Sequence, residues 1–148
     1  MKSSFSISIL ICTLLLSTLN LLWGQASQFS HYGVSDGLSQ SEILCIFQDS
    51  EGYIWFGTQN GLNLFDGYSF EPFYNDPADV HSISSNWIFD IAEDQHGILW
   101  IGTKGGLNRY DKRTGQFSTV SFADSSRGAE NDFIYGIVLD ESHLYVNQ

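Results

Sequence analysis

The sequence predicts an all-β fold made of repeated four-stranded antiparallel sheets. Aligned with an offset of 45 residues, the stretches 49–66 and 94–111 are identical at nine of eighteen positions. Each copy consists of short apolar runs separated by Gly, Asp and Asn, and neither copy has the periodicity of a long helix. A repeat of about 40 to 45 residues with four short strands is typical of a β-propeller blade. We therefore expect propeller blades in an incomplete ring.

The first 26 residues are predicted to be a secretion signal. Lys2 provides a short positive start, Phe5–Trp23 is apolar, and the small residues Gly24 and Ala26 suit cleavage after either position. An uncleaved membrane anchor is the alternative, because about 19 residues could just cross a bilayer. The Ser, Thr and Asn residues within the apolar stretch favour the cleaved signal.

The remaining chain is divided by the repeat into units at 43–82 and 83–127 and the start of a third at 128–148. In the two complete units strand A is predicted over 43–48 and 88–93, strand B over 53–58 and 98–103, and strand C over 61–66 and 106–111. Strand B is apolar on both faces, as expected where sheets cover it from both sides. Pro72 and Pro77 indicate an outer edge strand D and the loop to the next unit.

The turns explain many of the repeated residues. Asp at the start of the A–B turn can accept hydrogen bonds from free backbone N–H groups, and Gly can adopt a positive φ. Asn60-Gly61 and Gly105-Gly106 predict tight hairpins with two positive φ angles. The residues assigned to blade architecture are Asp49, Gly52, Trp55, Gly57, Gly61, Asp94, Gly97, Trp100, Gly102 and Gly106.

Both copies, "DSEGYIWFGTQNGLNLFD" and "DQHGILWIGTKGGLNRYD", resemble the two-component regulator propeller repeats of periplasmic sensor proteins. The stretch "FSHYGVSDGLSQS" from Phe29 is similar to the start of such a sensor, which implies that 27–42 supply a ring-closing strand and a linker. The resemblance implies an oligosaccharide or another small periplasmic ligand. It also implies further blades and a histidine kinase in a full-length, homodimeric inner-membrane protein, of which this chain is an N-terminal fragment without enzyme activity.

Charge argues against some partners. The net charge is -11, and five of the six basic residues lie from Lys104 onward. Nucleic acids and anionic membranes are bound by clustered cations, so neither is an expected partner. After signal cleavage Cys45 is the last cysteine, and its apolar neighbours predict a buried thiol.

Few residues are candidates for catalysis, metal binding or ligand contact. The acidic pairs Asp49/Glu51 and Glu93/Asp94 recur in turns, and the four His show no metal-ligand spacing, so no catalytic residue, metal or cofactor is predicted. Repetition of Trp55 and Trp100 favours packing between blades over sugar stacking. Residues that break the repeat in the loops are the candidates for ligand contact, and they are Gln59, Asn60, Trp87 and Lys104.

Two alternative functions remain at this stage. Secreted propellers also form glycan-cleaving enzymes of the sialidase and lyase types. The sialidase Asp-box, however, needs Asp two residues before the repeated Gly, where this chain has Ser50 and Gln95. A secreted binding scaffold without a signalling partner fits the residues equally well. In either case an open row of blades would leave strand edges and apolar faces uncovered, which predicts aggregation.

Overall fold

The computed structural model describes residues 29–120, 133–140 and 143–148. Two four-stranded antiparallel sheets make up most of them. The first has the order β1 (Ile43–Gln48), β2 (Ile54–Thr58), β3 (Gly61–Phe65) and β4 (Phe70–Phe73). The second has the order β5 (Ile88–Glu93), β6 (Ile98–Thr103), β7 (Gly106–Asp111) and β8 (Gln116–Val120). We call these sheets blade 1 and blade 2, and their meander order confirms the predicted fold class.

A third sheet follows with two strands, β9 (Gly136–Leu139) and β10 (Leu144–Asn147), which we call blade 3. The described residues therefore form a row of blades without a closed ring. They include a 3-10 helix at Val34–Asp36, and none of their helices has the length and hydropathy to cross a membrane. The predicted secretion signal at 1–26 lies outside the described residues.

Residues 29–42 contain this 3-10 helix and loops instead of the expected strand. The segment lies beside blade 1: Leu38 is buried, and Gly37 approaches Phe70. A strand that closes the ring would have to pair with a strand of another blade, and no such pairing is seen for the described residues 29–42. Ring closure by 27–42 stays a prediction.

The hairpins between the second and third strands differ from the prediction. Positive φ occurs at Gly61 (123°) and Gly106 (106°), but not at Asn60 or Gly105. The expectation of two positive φ angles per turn was therefore wrong. Thr58 Oγ1 accepts a hydrogen bond from Asn60 N–H at 2.9 Å and donates to the Gly61 carbonyl at 2.9 Å. This threonine holds the turn, so only the glycine that re-enters the strand has to adopt positive φ.

Glycine in the second strand of blades 1 and 2 lets the next blade approach. A Cβ on Gly57 would lie 2.8 Å from Ile88 Cγ2, and one on Gly102 would lie 2.6 Å from the Ile134 carbonyl oxygen. Real Cβ atoms do not approach other atoms this closely. The glycine of the repeated Gly-Thr pair is thus required where blade packs on blade.

The main core lies between blades 1 and 2. Trp55 is 1% exposed, its ring is stacked with Phe73, and its centroid is 5.5 Å from that of Tyr110 in blade 2. Leu99 and Phe117 belong to the same cluster. Trp100 packs in a smaller cluster with Leu107, Ile134 and Ile137, between blades 2 and 3. Both repeated tryptophans therefore contribute to packing between blades.

Buried polar groups tie each blade to the segment that precedes it. In blade 2, Asn108 accepts a hydrogen bond from Ser84 N–H at 2.9 Å and donates to Ser84 Oγ at 2.7 Å. Asn63 makes the same pair of contacts with Ser39 in blade 1. Both asparagines are fully buried. The buried Asn of the repeated Gly-Leu-Asn triplet thus finds its hydrogen-bond partners in the backbone and hydroxyl of a half-buried serine.

Candidate functional site

The four predicted ligand residues lie at one end of the blades. Gln59 and Asn60 form the turn between β2 and β3, and Lys104 begins the equivalent turn of blade 2. The Asn86-Trp87 segment lies between these turns, because the Asn86 carbonyl accepts from Gly61 N–H at 2.8 Å and the Trp87 carbonyl from Lys104 N–H at 3.1 Å. We call this end the B–C turn end.

The structure brings Trp87 and Lys104 into direct contact. Lys104 Nζ lies 5.0 Å from the centroid of the Trp87 ring and 5.7 Å from that of Phe133. Both distances are within the range of a cation–π interaction. Gln59 and Asn60 belong to the neighbouring turn and are linked to this pair through Asn86. Of the four predicted ligand residues, Trp87 and Lys104 are therefore in contact, and Gln59 and Asn60 lie in the adjacent turn.

Three further aromatic residues extend the pair and were missed from the sequence. The Phe89 centroid lies 6.3 Å from that of Trp87 and 4.9 Å from that of Tyr135, and Phe133 lies 6.0 Å from Tyr135. We call the set Trp87, Phe89, Lys104, Phe133 and Tyr135 the aromatic patch. The spacing of two residues between aromatic side chains, at 87/89 and again at 133/135, could have indicated it.

A β-bulge helps to form the patch. In the β5–β6 pair Ile88 is opposite Thr103 and Asp90 is opposite Gly102, so Phe89 has no partner in the ladder. Blade 1 has the same irregularity at Leu44. A bulge can redirect the side chain of the extra residue, and here the Phe89 ring contacts Trp87 and Tyr135. The repeat thus supplies the backbone irregularity, while the aromatic side chain is particular to blade 2.

Blade 3 is displaced by one residue relative to the predicted spacing. Ile134 packs on Gly102 as Ile88 packs on Gly57, which makes the offset 46 residues instead of the 45 expected from the sequence. Phe133 and Tyr135 are therefore the counterparts of Trp87 and Phe89. In blade 1 the corresponding residues are Glu42 and Leu44, and Gln59 corresponds to Lys104. Among the described residues the aromatic patch therefore lies at the junction of blades 2 and 3 and has no counterpart in blade 1.

Electrostatics distinguish Lys104 from the other basic residues that the structure describes. Arg109 and Arg113 both pair with Asp111, and Lys112 pairs with three carboxylates. Lys104 is exposed and makes no ion pair within the described part of the chain. Asp90, the acidic residue on β5 nearest the patch in sequence, accepts hydrogen bonds from Ile91 and Ile137 N–H. Lys104 thus keeps a charge that no described carboxylate neutralises.

A different cluster lies at the opposite end, beside the A–B turns. Lys112 Nζ is 2.7 Å from Glu93 Oε1, 3.1 Å from Glu51 Oε1 and 3.5 Å from Asp49 Oδ2. Glu93 also accepts from Ser50 N–H and Oγ–H. Burial alone would raise the pKa of Glu93, but the hydrogen bonds from Lys112 and Ser50 outweigh it and lower that pKa. Burial likewise opposes the charge of Lys112, yet its carboxylate partners raise its pKa.

This cluster joins blade 2 to blade 1, because Lys112 and Glu93 come from blade 2 and Asp49, Ser50 and Glu51 from blade 1. Lys112 was also missed as a site residue in the sequence. The sequence could have indicated it, because Lys112 stands at the repeat position that Gly67 occupies in the first unit. Its side chain is only 12% exposed, so its ion pairs with Asp49 and Glu93, which are nearly buried, are largely shielded from solvent, whereas Glu51 is 56% exposed.

The other reactive side chains have structural surroundings. Burial, together with the charge of Asp90, raises the pKa of the Cys45 thiol to about 12, so the thiol stays protonated near neutral pH and is a poor nucleophile. Asp49 and Asp94 each accept from two turn N–H groups and from a tryptophan indole. Among the described residues no three His, Cys, Asp or Glu side chains are grouped to bind a metal.

A cleft of about 630 Å³ lies between the A–B turns of blades 2 and 3. His96, Trp100, Asp140 and His143 are among the residues that line it. Asp94 Oδ2 accepts from Trp100 Nε1 at 3.0 Å, and Asp140 accepts from Tyr145 Oη at 3.2 Å. Two of the carboxylates near the cleft are therefore engaged in holding the blades' own aromatic side chains.

The fold and these repeated contacts define the class: a protein of β-propeller repeats. Residues 37–60 and 82–105 each match the family described as "Two component regulator propeller". The two matches fall at the same position in blades 1 and 2. The chain thus carries two segments that match two-component regulator propeller repeats.

Solved structures with the same fold come from B. thetaiotaomicron. The chain is similar to the extracellular domain of a protein described as hybrid two component system BT3049, with a TM-score of 0.68 and 30% identity, covering 79% of this chain and 17% of that one. It is also similar to the extracellular domain described for hybrid two component system BT4673, with a TM-score of 0.65 and 29% identity, covering 82% of this chain and 17% of that one.

One curated relative of the chain is named as a histidine kinase. Over 56 residues the chain is 48% identical to "Histidine kinase P4" of Formosa agariphila, which covers 38% of this chain and 4% of the relative. The chain therefore spans a small part of the proteins it resembles. Together the comparisons support a sensor domain of the hybrid two-component type.

Proposed function

We propose that this chain is the N-terminal part of a periplasmic sensor propeller that detects an oligosaccharide for a two-component histidine kinase phosphorelay regulating transcription. The observation that carries the proposal is the similarity to extracellular domains of hybrid two-component systems over most of the chain. The curated histidine kinase relative supports the same assignment. In this proposal the signal 1–26 directs export, and the kinase belongs to a full-length protein in the inner membrane.

The organisation proposed for the sensor follows the repeat: blade 1 over 43–82, blade 2 over 83–127 and the start of blade 3 over 128–148, with 27–42 joining the ring. Sheets in the structure lie within these units. Ligand contact is proposed at the B–C turn end, through Gln59, Asn60, Trp87 and Lys104. These side chains break the repeat, so they are free of the architectural role that fixes the repeated residues. Homodimerisation is proposed for the full-length protein.

Support for ligand contact at this end comes from its chemistry. Trp87 is 40% exposed and Tyr135 is 51% exposed, and Phe89 joins their rings into one contiguous surface, which is the kind of exposed apolar patch that marks a binding site. The opposite end carries the Lys112 cluster, whose charges are already paired. The B–C turn end is therefore the better location for a small polar ligand with an apolar face.

The proposal is tested with the full-length protein in two steps. Calorimetric titration with a panel of oligosaccharides first asks whether any binds. Autophosphorylation is then measured with and without the oligosaccharide that binds, and a change in the rate is expected. Absence of kinase activity in the full-length protein, or glycan cleavage by it, would overturn the sensory assignment.

A further inference from the structure

We infer that the aromatic patch binds an anionic sugar, with Lys104 meeting the negative group and the exposed rings of Trp87 and Tyr135 meeting the sugar face. The inference rests on the proposed sensing of an oligosaccharide and specifies the chemical class of that ligand. It follows from three properties of the patch.

The first property is that Lys104 makes no ion pair with any carboxylate that the structure describes. The chain is strongly acidic, and the other Lys and Arg side chains in its described part are paired with carboxylates. Lys104 instead lies over the rings of Trp87 and Phe133. The rings orient the ammonium group without neutralising it, so its hydrogen-bond donors can still meet a carboxylate or a sulfate.

The second property is the geometry of the rings. The rings of Trp87 and Phe133 flank the ammonium group, and those of Phe89 and Tyr135 continue the surface, with neighbouring centroids 4.9 to 6.3 Å apart. The C–H face of a pyranose ring is apolar and can lie on such a surface, which removes apolar area from water. Exposed aromatic rings beside one cation thus complement a sugar that combines an apolar face with one anionic substituent.

The third property is the restriction of the patch to one junction. Glu42, Leu44 and Gln59 occupy the corresponding positions in blade 1. An architectural role would be expected to recur from blade to blade, as the roles of Asp49 and Trp55 do. The combination of aromatic rings and a cation does not recur in blade 1, which favours recognition over packing.

The inference is tested by calorimetric titration of the full-length protein with three probes of matched length. They are an oligogalacturonate, a sulfated galacto-oligosaccharide and a neutral galacto-oligosaccharide. At least one anionic probe is expected to bind at least about tenfold more tightly than the neutral one, since hydrogen bonds to charged groups contribute about 1.5 kcal/mol or more. The oligogalacturonate and sulfated arms distinguish a carboxylate from a sulfate.

Variants then locate the site. Lys104→Gln places at this position the residue that blade 1 has at 59, and it is expected to weaken binding of the anionic probe about tenfold and reduce its salt dependence. Trp87→Leu is expected to weaken both anionic and neutral probes. Arg113→Gln is the matched control, because it removes an equal charge from a side chain that is 85% exposed and pairs with Asp111. Circular dichroism melting verifies that the variants are folded.

The outcomes separate the inference from the proposed function. Equal binding of neutral and anionic probes, or no effect of Lys104→Gln beyond that of Arg113→Gln, would overturn the anionic class and leave oligosaccharide sensing intact. If none of the three probes binds, the anionic class is overturned, and the wider oligosaccharide panel decides the proposed function separately.

Discussion

Trp55 donates its indole N–H to Asp49 Oδ2 at 2.9 Å, from six residues further along the chain. Trp100 and Asp94 repeat the contact at 3.0 Å in blade 2. In both blades the second carboxylate oxygen accepts the N–H groups of the intervening turn. The repeated Asp and Trp are therefore one structural unit, in which the acid both closes the A–B turn and fixes the indole between blades.

Loss of the indole N–H should cost more in blade 1 than in blade 2. In Trp55→Phe, the Asp49 carboxylate, whose side chain is fully buried, loses a donor that water cannot replace, and we expect a loss of about 2 kcal/mol in the free energy of unfolding. Trp100 and Asp94 are half-buried, so Trp100→Phe should cost about 1 kcal/mol. Urea denaturation followed by far-UV circular dichroism measures both. Equal losses would contradict the role assigned to burial.

Glycine to alanine substitutions in the second strands should be destabilising to different degrees. An added Cβ at Gly102 meets the backbone carbonyl of Ile134, which cannot move without shifting blade 3. At Gly57 the nearest atoms are side-chain atoms of Cys45 and Ile88, so rotation of the Cys45 thiol and a small shift of Ile88 can relieve part of the overlap. We expect Gly102→Ala to cost about 3 kcal/mol and Gly57→Ala about 1 to 2 kcal/mol, as in other overpacked interiors.

The control for these variants is Gly33→Ala. Gly33 has an extended φ of -153° and no atom within 4 Å of an added Cβ. Its substitution should leave the midpoint of urea denaturation unchanged within error. A loss at Gly33 as large as that at Gly102 would show that the effect is not caused by contact between blades.

The strands were predictable because their signals are local. The ranges predicted for the first strand of each complete unit, 43–48 and 88–93, are the observed ranges. The repeat aligned the two units with each other, and the turn residues marked the ends of the strands. The hairpin φ angles were mispredicted because the Thr58 hydroxyl, which the dipeptide rule ignores, stabilises a different turn.

The candidate site was only partly predictable because it depends on neighbours that are distant in the chain. Comparison of the two copies identified Trp87 and Lys104 as exceptions. It could not show that Phe133 would lie near Lys104, because blade 3 is displaced by one residue and its sequence departs from the repeat. Lys112 reaches Asp49 across 63 residues, and that contact exists only once blades 1 and 2 pack together.

The buried asparagine of the third strand should be essential for stability. Asn108→Leu keeps the branched shape but adds volume at a fully buried position and removes the hydrogen bonds to the Ser84 N–H group and hydroxyl, and we expect a loss of about 2 to 3 kcal/mol. Asn147→Leu, on an exposed position of β10, should change stability by less than about 0.5 kcal/mol. Thermal unfolding at matched protein concentration measures both. A neutral Asn108→Leu variant would show that the network adds nothing to stability.

The Lys112 cluster should make the contact between blades dependent on pH. Near pH 7, Lys112→Met leaves the nearly buried carboxylates of Asp49 and Glu93 without their cation, and we expect a loss of about 2 to 3 kcal/mol. Arg113→Met, which removes an exposed cation, should cost less than about 0.5 kcal/mol.

The sign of the pH effect follows from the lowered pKa of Glu93 in the folded protein. Its charged form contributes stability above its unfolded pKa of 4.5, and this contribution is lost as the pH falls through the lower folded pKa. Without Lys112 only the Ser50 hydrogen bonds oppose the effect of burial, so the charged form of Glu93 is favoured less. The gap in unfolding free energy between the native sequence and Lys112→Met should therefore shrink from about pH 7 to about pH 3.5. Urea denaturation of both proteins at the two pH values measures the gap, and a gap independent of pH would show that the pairing with Glu93 is not the source of the stabilisation.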